Sequence, residues 1–156
     1  MPAYKRPYSP PRKLERDLAR VRALWQRLKR REAQMPFADD VNLSALGQLS
    51  GKVVLIEASE QPVRFRCGFE LVGKEIAREF AGDLGGKFLD VVDVRHPLQF
   101  LLSQCGATVE SAEPTYYRHG AAGRRGVRAQ KKYSRLVLPL WGEGRIGMLL
   151  AAFHWG

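Results

Sequence analysis

The sequence predicts an α+β fold: a five-stranded antiparallel sheet with helices on one face, preceded by an N-terminal amphipathic helix. Three observations lead there. Two strand-like segments come early (52–58 and 63–72), a helical middle follows (74–106), and three more strand-like segments close the chain (115–119, 131–141 and 146–155). Val63, Phe65 and Cys67 alternate with Arg64 and Arg66, as a strand with one covered and one solvated face requires. The strands also lie too close in sequence for a helical crossover after each one, so antiparallel pairing is the economical arrangement.

Each element has its own local reason. Pro2, Pro7, Pro10 and Pro11 deny residues 1–11 a helix ladder, which predicts a flexible basic arm. From 12 to 35 neither Gly nor Pro interrupts, and Leu14, Leu18, Val21, Trp25 and Leu28 recur at spacings of 4, 3, 4 and 3, one apolar stripe on a helix. Arg16, Arg20, Arg27, Lys29, Arg30 and Arg31 populate its other sides, and Met35-Pro36 closes it, because a residue before proline leaves the helical region. Val41 to Leu49 is weakly helical, Lys52 to Ala58 reads as a strand, and Gln61-Pro62 turns the chain into the strand 63–72. After Gly73, Lys74 to Phe80 forms a short helix with Ile76, Ala77 and Phe80 inward; Gly82, Gly85 and Gly86 then open a loop before Phe88 and Leu89. His96-Pro97 introduces a helix from Leu98 to Cys105, with Leu98, Leu101, Leu102 and Cys105 on one side.

Composition bounds the function. A chain of 156 residues with 45% hydrophobic and 27% charged residues is one globular domain, not a disordered or collagen-like chain. No apolar run approaches the roughly 18 residues of a membrane span, and no apolar segment follows the basic N-terminus, so a cytoplasmic protein is expected. Cys67 and Cys105 suit reduced, buried thiols. The net charge of +10 is concentrated: residues 1–34 hold 11 basic against 3 acidic side chains, and residues 118–135 hold 7 basic and none acidic. The remainder is mildly acidic.

Several strings carry a family likeness: Leu24-Trp25 in the first helix, VRFRCGFELVG at 63–73, KEIAREFAGDLGGKFLD at 74–90 and YSRLVLPLWGEGRIGMLLAAFHW at 133–155. With these the chain resembles the PAS domain superfamily, in particular its compact single-domain proteins of alphaproteobacteria. The likeness covers about residues 20–155 and divides the chain into an arm (1–11), an N-terminal helix (12–35) and a PAS-like domain (36–156). It implies a helical middle cupped over one face of the sheet, and a sensory or regulatory role through a small ligand or a partner. Fold likeness alone does not fix function.

Other motifs are weighed on their chemistry. GEGRIG at 142–147 fits the dinucleotide fingerprint, but only nine residues follow it, so Gly142 to Gly144 reads as a hairpin turn. Cys67 alternates on a strand, unlike a flavin-reactive helix thiol, and His96 at a polar helix start reads as an exposed capping residue, not a haem ligand. His119 and His154 have no ligand partners at metal spacing, and no nucleophile elbow is present. Neither cofactor nor metal nor catalytic activity is therefore expected.

The expected function is a non-catalytic sensory or regulatory module, homodimeric through its N-terminal helix unless that stripe packs on the open sheet face. Its pocket walls would be Phe65, Cys67, Phe69, Ile76, Phe80, Phe88, Leu98, Leu101, Leu102, Val137 and Met148, with Tyr117, Tyr133 and Arg135 as polar tuners. The glycine-rich basic stretch offers Arg118, Arg124, Arg125, Arg128, Lys131 and Lys132 to an anion. Arg124 and Arg128 share an R-x-x-x-R spacing used elsewhere to grip guanine dinucleotide messengers, without the Asp/Asn-x-Ser-x-x-Gly element that accompanies it. Partners of matching chemistry are a small molecule, an acidic signalling protein or, as the rival reading, a nucleic acid or anionic nucleotide bound by segments 1–34 and 118–135.

Overall fold

In a computed structural model, the described part of the chain comprises residues 8–61, 64–80, 84–85, 87–89, 96–120 and 132–156, with backbone only at 59–61 and 64–66. Its elements run α1 (Arg16–Leu28), β1 (Val53–Gln61), β2 (Arg64–Val72), α2 (Lys74–Phe80), α3 (Leu101–Ser111), β3 (Thr115–His119), β4 (Tyr133–Gly142) and β5 (Arg145–Trp155). The five strands form one sheet in the order β2-β1-β5-β4-β3, with antiparallel neighbours throughout. This is the expected five-stranded antiparallel α+β architecture.

The pleat sorts side chains onto two faces. Pairing of Thr115 with Val137, Tyr117 with Arg135, and Arg135 with Phe153 puts these residues on one face, which α3 covers. Leu136, Leu138 and Leu140, opposite Ala152, Leu150 and Met148, share the other face. There α1 lies, burying Leu18, Val21 and Trp25, with Leu14 just ahead of it, in the same core cluster as the sheet. Of the two resting places expected for its stripe, the open sheet face is the one taken. With both faces covered, β4 buries eight consecutive residues, Tyr133 to Leu140.

α1 is shorter than the expected 12–35. It ends at Leu28 because Lys29 turns extended and Arg30 reaches Asp40 with both fork nitrogens, at 2.7 and 2.8 Å. Asp17 in its first turn and Arg27 in its last suit the helix dipole. The indole N–H of Trp25 donates to the carbonyl of Pro139 at 2.9 Å. That proline costs no ladder bond, since β4 there runs beyond the end of β3, and Trp141 N–H pairs instead with the carbonyl of Pro36.

A 3₁₀ segment, Leu43–Lys52, is kinked at Gly47 and leads into β1. α3 is displaced from the expected 98–105 by its flanks: Phe100 and Ala112, at either end, both hold left-handed backbone conformations. The β4–β5 hairpin turns through Glu143 and Gly144, both at positive φ. Positive φ at both central residues is the mark of a type I′ hairpin turn, as the reading of Gly142 to Gly144 as a turn requires. Among the described residues, no helix is long and apolar enough to cross a membrane.

Candidate functional site

The site centres on Arg135, fully buried in the middle of β4. A buried guanidinium must be met by acceptors. Its Nε donates to Gln104 Oε1 at 2.6 Å, Nη1 to the carbonyl of Pro97 at 3.3 Å, and Nη2 to the carbonyl of Gln99 at 2.9 Å. One side chain of the sheet thereby holds both the segment entering α3 and the helix itself.

Polar contacts continue inward. Gln104 Nε2 donates to Thr115 Oγ1 at 3.2 Å and to the backbone carbonyl of Arg135 at 3.3 Å. Thr108 Oγ1 lies 2.6 Å from Thr115 Oγ1 and donates to the carbonyl of Gln104 at 2.9 Å. Gln104, Thr108 and Thr115 are all buried. Sequence reasoning missed Thr108 because it ended the helix at Cys105, and Gln104, inside that helix, because it is polar. Their positions continue the stripe of Leu101 at helical spacing, a signal that a purely apolar criterion passes over.

Aromatic rings wall the guanidinium. Its carbon lies 4.9 Å from the Tyr117 ring centroid, 5.9 Å from Tyr133 and 5.8 Å from Phe153. Tyr133 stacks on His119 at 5.1 Å and meets the His96 ring edge-on at 5.3 Å. Its hydroxyl donates to Gln99 Oε1 at 2.7 Å. Burial pushes the Tyr133 hydroxyl up to about 12, against the opposing influence of Arg135, and raises that of Tyr117 for the same reason.

The candidate residues divide. Cys67, Phe69, Ile76, Phe80, Leu98, Leu101, Tyr133, Arg135 and Val137 are buried in the core. Tyr117 and Leu102 are partly buried against it. Three expectations need correction. Met148 lies on the α1 face, because it pairs with Leu140. Phe88 sits at the outer edge of β2, bridged to Gly68, and is 36% exposed. His96 is no exposed cap, since its ring is half-buried and packs against both Tyr133 and His119. The side chain of Phe65 falls outside the described residues, as do Arg124, Arg125, Arg128 and Lys131; Arg118 and Lys132 are exposed.

The described walls of the cup are packed side chain to side chain. Surface hollows lie elsewhere. One of about 480 Å³ runs between Tyr8, Pro10 and the end of α3, and another of about 460 Å³ between Trp25, Lys29 and Pro114.

Fold and site together define an α+β module, a five-stranded antiparallel sheet with a buried arginine in its cup. No family model matches the sequence, and no curated protein does. Among solved structures, the chain is similar to the crystal structure of a sensory box sensor histidine kinase from Vibrio cholerae. The TM-score is 0.47 at 13% identity, covering 89% of this chain and 94% of that one. At that level the likeness carries no argument about activity.

Proposed function

We propose that this chain is a non-catalytic sensory or regulatory module, in which the packing of α3 and its entry segment on the sheet is the quantity that changes. The observation supporting this reading is the reach of Arg135. A single buried guanidinium ties the carbonyls of Pro97 and Gln99 and the side chain of Gln104 to β4. A small anionic or planar molecule entering the cup would compete for that fork and its flanking rings, releasing the segment before α3. If no ligand enters, the same module acts by binding a partner protein.

The test is direct. Purified protein is analysed by native mass spectrometry for a co-purifying small molecule, then screened by thermal shift against aromatic carboxylates. A retained or stabilising molecule whose effect disappears in Arg135→Gln supports sensing. An empty protein that no compound stabilises leaves only the partner-binding form of the proposal.

A further inference from the structure

We propose that the outward face of α1, continued by Arg118 on β3, is a docking ridge for the phosphate backbone of a nucleic acid. This goes beyond the sensory reading and does not depend on it.

Arg16, Arg20 and Arg27 are exposed and lie on one line along the helix, as spacings of 4 and 7 residues require. The line spans roughly 17 Å at 1.5 Å per residue. Exposed Arg12 and Lys13 extend it beyond the helix start. The two acidic residues at the start of the helix are spent inward: Glu15 accepts from Tyr116, and Asp17 from Lys52. Among the described residues, none of the three arginines of the line has an ion-pair partner.

Arg118 reaches the same place. Tyr116 N–H donates to the carbonyl of Tyr8 at 2.7 Å and its hydroxyl to Glu15 at 2.6 Å, which brings the outer edge of β3 against the start of α1. Arg118 follows two residues on, exposed and on the same sheet face as Tyr116, close enough to influence the Tyr116 hydroxyl. Arg118 and the arginines of α1, separated by over eighty residues of sequence, thus converge on one surface.

The composition of the ridge selects the partner. A membrane-surface helix would insert its apolar face, but that of α1 is already inside the protein, with Leu18, Val21 and Trp25 at 3% exposure or less. A protein interface draws its energy from buried aromatic or aliphatic anchors. The only other exposed members of the helix are Ala23 and Gln26. A row of guanidinium forks with no apolar anchor fits repeated phosphates, each of which releases counterions when neutralised.

The full chain is titrated by fluorescence anisotropy against a labelled 20-base-pair DNA duplex and a 20-nucleotide RNA, between 50 and 200 mM salt. We expect binding to at least one at low salt, with the logarithm of affinity falling linearly with that of salt. Triple substitution R16Q/R20Q/R27Q should weaken it at least tenfold and lower the duplex slope by about 2 to 3. R118Q alone should lower that slope by about 1. The control K74Q/R78Q removes two exposed charges from α2, away from the ridge, and should leave binding within twofold. Circular dichroism confirms that each variant is folded. Absence of binding to both probes at 50 mM salt overturns the proposal. So does equal weakening by the control variant, or a preference for vesicles containing anionic lipid over both nucleic acids.

Discussion

Tyr116 on β3 donates its hydroxyl to Glu15 Oε1, just ahead of α1, at 2.6 Å, a contact that joins residues 101 positions apart in sequence. Beside it, Asp17 Oδ2 receives Lys52 Nζ at 2.9 Å and lies 3.2 Å from His154 Nδ1. The first turn of α1 is thus fastened to the sheet by two carboxylates.

Acid should loosen that fastening. Burial alone would raise the Glu15 carboxyl, but the hydrogen bond from Tyr116 holds it below the ordinary glutamate range; Asp17 is held low in the same way by Lys52 and His154. A depressed carboxylate contributes stability that is complete above its unfolded pKa and lost as pH falls through the lower folded value. Thermal melts should therefore show a falling midpoint below the ordinary carboxylate range. E15Q/D17N should be less stable at pH 7 and show a flatter acid dependence; an unchanged acid limb would refute the assignment.

Tyr116→Phe keeps the ring and removes the donor. We expect a loss of about 1–2 kcal/mol, since the bond is to a charged, partly buried acceptor. Urea unfolding at pH 7 measures it. The loss should vanish in the Glu15→Ala background, which has no side-chain acceptor, if the two residues act as a pair.

Trp25→Phe removes the indole N–H from the Pro139 carbonyl and leaves that acceptor unpaired. The expected loss is about 2 kcal/mol, with a fall in melting temperature of roughly 4–8 °C. A variant melting within 1 °C of the parent would show that water or another donor replaces the indole.

Gly73 follows β2, where a Cβ would lie 2.3 Å from the Gly51 carbonyl oxygen and 2.7 Å from that of Val53. Backbone cannot retreat as a side chain can, so Gly73→Ala should cost roughly 1–3 kcal/mol. Gly51→Ala is the contrast: its Cβ would meet only the flexible end of Glu75, at 3.2 Å. Its effect should be clearly smaller in the same denaturant series.

Ala112 ends α3 at φ 56°, with its N–H bonded to the Thr108 carbonyl at 2.9 Å. Glycine adopts this conformation without a Cβ penalty. Ala112→Gly should stabilise the protein by about 0.5–1 kcal/mol, read as a raised denaturation midpoint at unchanged slope.

Much of the cup was readable from pattern. The alternation at Cys67 and Phe69 set the inward phase of β2, and the apolar side of 74–80 gave Ile76 and Phe80. Met148 escaped because β5 is apolar on both sides, so alternation carries no phase there; only pairing with Leu140 decides its face. Phe88 escaped because a loop has no periodicity from which to infer direction. Gln104 and Thr108 were passed over as polar residues, although a buried Arg135 requires such acceptors.

By itself the sequence determined the element order, the antiparallel sheet, the helical stripe of α1 and the concentration of charge in two segments, because periodicity, turn residues and charge counts are local properties. Tertiary structure alone decided that α1 covers the far face of its own sheet, that Arg135 points into the cup, and that Arg118 lands beside the start of α1. Those outcomes depend on strand register and on contacts between residues far apart in the chain, for which a one-dimensional pattern holds no term.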